Sequence, residues 1–180
     1  MNKVILDLDD FAYDYERNAL NWLLDLKSKY PEFKVTLFSI PALWRNNILK
    51  QVANLDWIEL GVHGFDHHAN NEVLKWDRQK WYEIINMAES SGCYQKLFKA
   101  PNWEMSDLGY FILKENDWAV AVREHQIKDL QPGSKYYCFE TNPFGIHGHT
   151  WTMKAHQEEG KFNWNEDTQF EFISNNVEEK

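Results

Sequence analysis

Two short stretches of the sequence carry side chains that can bind a metal. The run MNKVILDLDDF passes from apolar residues into Asp7, Asp9 and Asp10, and carboxylates at the end of a buried strand are costly without partners. The run GVHGFDHH contains His63 and His67, four residues apart. Asp10, His63 and His67 would form a two-histidine, one-carboxylate site with open positions for water and substrate, which a structural metal site lacks. We therefore predict a catalytic metal site.

Acid and base groups for a hydrolysis are also present. A metal lowers the pKa of bound water from about 15.7 towards about 7 and polarises a carbonyl. Asp9 has the chemistry to take the proton of that water, and His147 or His149 to protonate the leaving group. Neighbours on a strand point to opposite faces, so Asp9 and Asp10 can serve one site only if the chain turns there. His147 and His149 share a face, and only one of them need be catalytic.

A phosphatase is the alternative interpretation of the first run. VILDLDD also resembles the apolar strand ending in D-x-D of haloacid-dehalogenase-type enzymes. That resemblance implies a magnesium enzyme whose residues would be Asp7 as nucleophile, Asp9 as acid or base, Ser39 as phosphate ligand and Lys99 as charge stabiliser. It accounts for Asp7 and Lys99 but leaves the histidines at 63–68 and 147–149 unexplained. We therefore favour the hydrolase with a transition-metal site.

The spacing of apolar residues predicts an α/β fold around these groups. Strands are predicted at 4–8, 34–40, 57–64, 97–100, 118–122, 136–141 and 144–149. Helices are predicted at 15–30, 43–54, 72–92, 106–114 and 166–174, the first with Leu20, Leu23, Leu24 and Tyr30 near one face. Such repeated units imply a parallel sheet with helices outside and a ligand site at the carboxyl ends of the strands, where the candidate residues fall.

Composition excludes some classes of function. The 180 residues predict a single domain, 1–180, and the net charge of −9 without a basic run argues against nucleic-acid binding. Two cysteines without metal-binding spacing favour a reducing compartment. No apolar signal region and no apolar run of membrane-spanning length are present, which predicts a cytoplasmic protein without a membrane partner. Nine Trp suit flat apolar ligand faces such as sugar rings.

The order of the motifs resembles the polysaccharide deacetylase family, also called the NodB-homology domain or carbohydrate esterase family 4. LDLDDF stands in the place of the motif T-F-D-D-G, and HGFDH in that of H-S/T-x-x-H. FKAPNW stands in the place of R-x-P, and FGIHGHTW in that of a final apolar strand ending in His. The match covers residues 4 to 150 in the right order.

The resemblance implies a distorted (β/α)7-type, NodB-like barrel with a divalent metal, usually zinc, that removes an acetyl group, first of all N-acetyl, from a carbohydrate. Asp9 is similar to the family's catalytic base, and His149 or His147 to its general acid. The residues similar to the metal ligands are Asp10, His63 and His67. The residues similar to the substrate and oxyanion wall are Lys99, Pro101, Asn102 and Trp103, with a backbone N–H near Asn102 helping to hold the oxyanion. The sequence does not indicate an oligomeric state.

Several positions depart from the family pattern. Asp7 replaces Thr, Phe11 replaces Gly, and Lys99 replaces an Arg whose bidentate fork a Lys cannot copy. The fourth motif, an Asp-Trp after strand five, is missing, and Glu124 or His125 is expected to fill that wall. A barrel changed in this way could instead bind a glycan without hydrolysing it.

Overall fold

The computed structural model of the protein describes residues 2–12, 17–44, 46–68 and 71–180. The strands are β1 (Asn2–Phe11), β2 (Val35–Ser39), β3 (Ile58–His63), β4 (Leu97–Lys99), β5 (Ala119–Ala121), β6 (Lys135–Tyr137), β7 (Gly145–His149), β8 (Thr168–Glu171) and β9 (Glu178–Glu179). The α-helices are α1 (Arg17–Lys29), α2 (Asn46–Ala53), α3 (Arg78–Ser91), α4 (Asp107–Glu115) and α5 (Thr150–Glu158). Short 3-10 helices lie at Pro41–Leu43, Glu72–Lys75, Pro101–Trp103, Glu124–Asp129 and Ile173–Asn176.

The strands form one sheet that curls into an open barrel. Their order is β7-β1-β2-β3-β4-β5-β6-β9, and β8 pairs with the first half of β1, next to the start of β7. Only the short β9 runs antiparallel to its neighbour among the described pairs. Within the described ranges no strand pairing joins the two ends, so the barrel stays open along one side. The predicted α/β class and distorted barrel are confirmed.

Alternation along β1 divides its side chains between two environments. Leu6 and Leu8 point outward into the core between sheet and helices. Ile5 points inward and packs in a smaller apolar cluster inside the barrel. Asp7 and Asp9 share the face of Ile5, so the strand carries two carboxylates into the interior above that apolar floor.

Helix α1 covers the sheet with a face made of Trp22, Leu23 and Leu26. Leu24, which the sequence analysis put on that face, is 45% exposed. At about 100° per residue, Leu24 falls on the side of the helix opposite Trp22 and Leu26, which corrects that prediction. The predicted start of this helix, at 15–16, lies outside the described residues.

The predicted long helix at 72–92 is two elements. A 3-10 turn, Glu72–Lys75, precedes α3, and Asp77 between them has extended backbone and accepts the Lys80 N–H as the N-cap of α3, at 2.8 Å. Gly92 ends α3 in the left-handed region, with a φ of 64°. Ser106 caps α4.

The predicted last helix, at 166–174, is wrong. Thr168–Glu171 is strand β8, which pairs in parallel with β1 and is followed by a 3-10 turn. Thr168 and Phe170 are buried whereas Gln169 between them is exposed, a period of two that suits a strand. The α-helix at this end of the chain is α5, which follows β7 directly and which the sequence analysis did not predict. Among the described residues, none of the helices has the length and apolar character needed to cross a bilayer.

Candidate metal centre and active site

The candidate residues meet at the carboxyl ends of β1, β3, β4 and β7. Parallel pairing of β1 with β7 sets Asp7 beside His147 and Asp9 beside His149, and pairing of β3 with β4 sets His63 beside Lys99. Four of these side chains, together with four nearby residues, line one cavity of about 260 Å³. The residues that line it are Asp9, Asp10, His63, His67, Asn102, Trp103, His147 and His149.

Asp10 reaches the same cavity as Asp9 because β1 is irregular at its end. The pairing of β1 with β2 shifts register between Leu8 and Phe11, and Asp10 has a left-handed φ of 57°. In a regular strand Asp10 would point outward with Leu8. Such backbone costs about 1–3 kcal/mol and persists only where its surroundings hold it, a pattern typical of functional sites. The turn that the sequence analysis required of Asp9 and Asp10 is therefore present.

Asp10 lies among three imidazoles. Its Oδ1 is 3.1 Å from His63 Nε2 and 3.2 Å from His67 Nε2, and its Oδ2 is 3.2 Å from His149 Nε2. His67 also has a left-handed φ, of 55°, which turns its ring back towards His63. One carboxylate oxygen thus faces the two histidines of the HGFDH motif, and the other faces β7.

The tautomer of His63 fits a metal. His63 Nδ1 lies 3.0 Å from the carbonyl oxygen of Lys99, which can only accept, so this nitrogen carries the proton. In the neutral ring Nε2 is then an acceptor, and it faces the buried Asp10 Oδ1, which is an acceptor as well. A cation between the two lone pairs would relieve this arrangement, and a backbone carbonyl behind a ligating histidine is a typical metal-site contact.

The contacts between Asp10 and its three histidine neighbours also shift the pKa values of these groups. Burial would raise the pKa of Asp10, but the neighbouring imidazoles of His149, His63 and His67 outweigh burial and hold that pKa below its ordinary value. The same contacts raise the pKa values of His67 and His149. Asp10 is therefore ionised at neutral pH, the state that metal ligation needs.

Lys99 crosses the barrel interior and joins three groups. Its Nζ lies 2.8 Å from Asp7 Oδ1, 2.7 Å from Asp9 Oδ1 and 2.8 Å from His147 Nδ1. The side chain is 1% exposed, and its ammonium lies over the Trp103 ring at 4.2 Å from the centroid. Burial would raise the pKa of Asp7, but Lys99 and His147 outweigh burial and hold that pKa below its ordinary value.

Asp7, Asp9 and His147 form a second group whose ligand atoms lie within 4.8 Å of one another. The ammonium of Lys99 already lies within 2.8 Å of both carboxylates. A metal there would face a buried positive charge at contact distance, which is unfavourable. This group therefore fits a buried ion-pair network, whereas the group around Asp10 fits a metal.

The turn after β4 forms one wall of the cavity. Asn102 and Trp103 have left-handed φ values of 53° and 63°. The Trp103 ring packs edge-on against His147, with 5.0 Å between centroids, and the Trp103 N–H donates to the Ala100 carbonyl at 3.0 Å. Pro101 is buried beneath this turn. The role of a backbone N–H near Asn102 as an oxyanion donor stays a prediction.

Arg123, rather than Glu124 or His125, contacts the wall that Trp103 forms. Its guanidinium lies over the Trp103 ring at 5.5 Å. Glu124 and His125 are exposed and do not line the cavity, so the expectation for them is wrong. The reason is that β5 ends at Ala121 and a 3-10 turn then carries both side chains into solvent.

Glu72 is a residue of the site that the sequence analysis missed. Its carboxylate accepts the Phe65 N–H at 2.8 Å and lies inside the loop that carries His67. A Cβ on Gly64 would lie 2.0 Å from Glu72 Oε1, and Gly64 has a φ of 64°. The glycine after His63 was the available sign that the loop folds closely around another group. Glu72 itself has no local pattern that indicates this contact.

The geometry argues against the phosphatase interpretation. Asp7 is buried, does not line the cavity, and is paired with Lys99 and His147. Ser39 donates to the Tyr94 hydroxyl at 3.2 Å. A nucleophile must reach its substrate, and Asp7 does not.

Comparison with known proteins defines the fold. No family model and no curated protein matches this sequence. Among solved structures, the chain is similar to the Xyl-CE4 domain of a multidomain xylanase from the hindgut metagenome of Trinervitermes trinervoides, with a TM-score of 0.59, 14% identity, and coverage of 97% of this chain and 88% of that one. It is also similar to a family 4 acetyl xylan esterase from Clostridium thermocellum in complex with a cobalt ion, with a TM-score of 0.54, 15% identity, and coverage of 97% and 89%.

These likenesses assign the architecture to a class. The chain has a polysaccharide deacetylase-like fold, the NodB-like barrel of carbohydrate esterase family 4 domains. The resemblance found from the sequence motifs is confirmed at the level of the fold.

Proposed function

We propose that the protein is a metal-dependent hydrolase that removes an acetyl group from a carbohydrate, with an N-acetyl group as the preferred substrate. The observation that carries the proposal is one cavity in which Asp10, His63 and His67 face Asp9 and His147. The similarity to a xylanase's CE4 domain and to an acetyl xylan esterase supports an acetylated carbohydrate as the substrate.

Asp10, His63 and His67 are the proposed metal ligands, with zinc as the first candidate. The opposed acceptors of Asp10 and His63, 3.1 Å apart, support this assignment, as does the cobalt ion in the acetyl xylan esterase. A divalent metal bound there would lower the pKa of a neighbouring water and polarise the acetyl carbonyl. Histidine and carboxylate donors together suit zinc, cobalt and nickel.

Asp9 is the proposed base. Asp9 lines the cavity, its Oδ1 lies 2.7 Å from Lys99 Nζ, and its Oδ2 lies 3.6 Å from His147 Nε2. Lys99 thereby fixes the orientation of the carboxylate, and Oδ2 can accept a proton from the water that attacks the acetyl carbon. Lys99 stands where the family has an Arg, and it can still orient Asp9 through this one contact.

His147, rather than His149, is the proposed acid. His147 Nδ1 lies 2.7 Å from Asp7 Oδ1 and 2.8 Å from Lys99 Nζ, so the ring is held on its Nδ1 side and Nε2 is left for the cavity. Asp7 then orients the ring as the carboxylate of a catalytic triad orients its histidine. His149 Nε2 is engaged by Asp10 instead, at 3.2 Å.

The presence of an oriented acid supports an amide substrate. When the C–N bond breaks, the amine nitrogen needs a proton, which His147 Nε2 would deliver, and acetate and the free amino sugar result. An ester releases an oxygen that leaves more readily and depends less on an acid. We therefore rank an N-acetylated sugar ahead of an O-acetylated sugar as the substrate.

Metal analysis combined with acetate release tests the function. Protein purified without chelator is compared with the His63→Ala, His67→Ala double variant, using oligomers of N-acetylglucosamine and acetylated xylan as probes. We expect near-stoichiometric transition metal and acetate release in the wild type, and loss of both in the double variant. Absence of transition metal, or equal acetate release by both proteins, would refute the proposal. Binding of metal and sugar without acetate release would favour a glycan-binding barrel.

A leaving-group comparison tests the acid. His147→Gln should lower the rate on the N-acetyl substrate by about 100-fold, within the usual range for a general acid. On an activated aryl acetate, whose leaving group needs no proton, the same variant should lose far less. His149→Gln is the matched control, with metal content measured in both variants. A larger selective loss on the amide for His149→Gln would reverse the assignment.

A further inference from the structure

The loop that carries His67 is held from its inner side by one carboxylate. Glu72 Oε1 accepts the N–H of Phe65 at 2.8 Å, and Glu72 Oε2 accepts the N–H of Asp66 at 3.4 Å. Two successive backbone N–H groups thus point at the two oxygens of one side chain, which is a way in which tight turns bind anions. Both contacts fall within the 64–67 loop, the segment between the two histidines proposed as metal ligands.

The 64–67 loop needs such support because its backbone is strained. Gly64 and His67 have left-handed φ values of 64° and 55°. At a residue with a side chain, such as His67, this conformation persists only where the surroundings hold it. A different φ at His67 would carry its ring away from Asp10 Oδ1, which the His67 Nε2 faces at 3.2 Å. The shape of the loop therefore decides whether this histidine reaches the metal centre.

Gly64 leaves the space that the carboxylate fills. A Cβ at this position would lie 2.0 Å from Glu72 Oε1. The motif H-S/T-x-x-H, which the sequence HGFDH resembles, has a side chain at the position of Gly64. Such a side chain would push the carboxylate away from the Phe65 N–H. The glycine at 64 and the carboxylate at 72 therefore depend on each other.

The hydrophobic core fixes the position of Glu72. This residue begins the 3-10 turn Glu72–Lys75, and the next residue, Val73, is 1% exposed and belongs to the core. Trp76, directly after the turn, packs edge-on against Trp81 with 4.9 Å between centroids. The carboxylate is thus attached to a segment that the core holds in place, so it can set the shape of the loop rather than follow it.

We propose that Glu72 is a positioning residue of the metal centre, whose carboxylate holds the 64–67 loop in the shape that brings the two histidine ligands to one ion. The inference rests on the proposed function, because the ion is the one proposed there. It adds to that site a residue that touches neither the metal nor the substrate. Ligands that are held in place before the ion arrives lose less conformational freedom when it binds. Residues that orient metal ligands typically change metal affinity by about 10- to 100-fold.

The zinc affinity of two Glu72 variants, measured by competition with a chromophoric chelator, tests the inference. Glu72→Ala removes both acceptors and should weaken zinc binding roughly 10- to 100-fold. Glu72→Gln keeps one oxygen for the Phe65 N–H but turns an amide N–H towards the Asp66 N–H, so its loss should be smaller, roughly three- to tenfold. Glu115→Ala removes an exposed carboxylate at the end of α4 and is the matched control for the change in net charge. It should bind zinc like the parent protein.

The visible absorption spectrum of bound cobalt gives a readout that a general loss of stability would not change, because it reports the geometry around the ion. At saturating Co²⁺, Glu72→Ala should show a spectrum different from that of the parent, since His67 no longer reaches the ion in the same way. Glu115→Ala should keep the parent spectrum. A folded Glu72→Ala protein with the zinc affinity and the cobalt spectrum of the parent would overturn the inference. If Glu72→Ala does not fold, Glu72→Gln decides by the same two measurements.

The outcomes separate this inference from the proposed function. Absence of zinc and cobalt binding by the parent protein would refute the proposed metal centre and this inference with it. Metal binding by the parent that is insensitive to both Glu72 substitutions would overturn this inference alone. Metal binding that depends on Glu72, in a protein that releases no acetate, would keep the inference and refute the hydrolase.

Discussion

Replacing Lys99 with Met is the perturbation whose effect on stability the structure predicts most directly. Lys99 is 1% exposed and is the cation that lies between Asp7 and Asp9, at 2.8 and 2.7 Å. Met has a similar length and fills the same apolar path through the barrel, so the substitution removes the charge with little change in packing. Two buried carboxylates are then left without their shared ammonium.

The magnitude follows from that burial. Removing one partner of a buried ion pair costs about 3–5 kcal/mol, because the remaining charge is buried and unpaired. His147 stays in contact with Asp7 and offsets part of this, so we expect a loss of about 3 kcal/mol in the free energy of unfolding at neutral pH. Lys96→Met is the matched control: Lys96 is 50% exposed and pairs with Glu89 at 2.9 Å, and its loss should cost less than about 0.5 kcal/mol.

The effect of pH on the stability of the two proteins gives a second, independent test. In the wild type the pKa of Asp7 is held below its ordinary value, so its contribution to stability is present at neutral pH and is lost as the pH falls through the folded-state pKa. Without Lys99, burial dominates and the pKa of Asp7 rises above that of the unfolded chain. The variant is then stabilised as the pH falls, and the difference between the two proteins narrows from neutral pH towards about pH 4.

Urea denaturation followed by tryptophan fluorescence measures both effects. A loss below about 1 kcal/mol for Lys99→Met at neutral pH, or a difference that widens as the pH falls, would refute the reasoning. If Lys99→Met does not fold, the double variant Lys99→Met, Asp7→Asn decides. It removes one of the two unpaired carboxylates and should recover stability relative to Lys99→Met, which a purely steric role for the lysine would not produce.

Two further predictions concern residues away from this network. Burial raises the pKa of Glu59, so the stability of the wild type falls as the pH rises through that pKa. Glu59→Gln should therefore raise the free energy of unfolding at neutral pH by about 1 kcal/mol. Equal dependence of stability on pH in the two proteins would contradict this prediction. Gly64→Ala and Gly92→Ala share a φ of 64°, but only Gly64 faces a side chain, Glu72. Gly92→Ala should cost about 1 kcal/mol and Gly64→Ala at least about 2 kcal/mol more in urea denaturation, and equal costs would refute the clash.

Much of the site was predictable because local spacing determines it. The alternation of β1 puts Asp7 and Asp9 on one face whatever else the chain does. The loop HGFDH carries His63 and His67 at a spacing that one metal can bridge, and the position of these residues at strand ends places them on one edge of a parallel sheet. The α/β class followed from the repeated units of strand and helix, whereas the barrel was implied by the resemblance of the motifs to the polysaccharide deacetylase family.

The wrong predictions fall where the local sequence pattern fitted more than one structure. Residues 166–174 were predicted as a helix, although the alternation of Thr168, Gln169 and Phe170 suits the strand that pairs with β1. Leu24 was assigned to one face with Leu20, Leu23 and Tyr30 from the spacing of apolar residues, whereas the rotation of α1 exposes it. Glu124 and His125 were placed at the site from their distance along the chain, but the turn after β5 directs them to solvent.

The sequence by itself determined the α/β class, the inward face of β1 and the histidine pair, because each depends on spacing within a few residues. Only the tertiary structure decided what these groups do to one another. Lys99 meets Asp7 across 92 positions of the chain, and Glu72 folds into the loop after His63. The left-handed turn at Asp10 and the stacking of Trp151 on His149 likewise depend on neighbouring strands. Contacts between segments distant in sequence arise from how the sheet curls, and no periodicity within one segment encodes that.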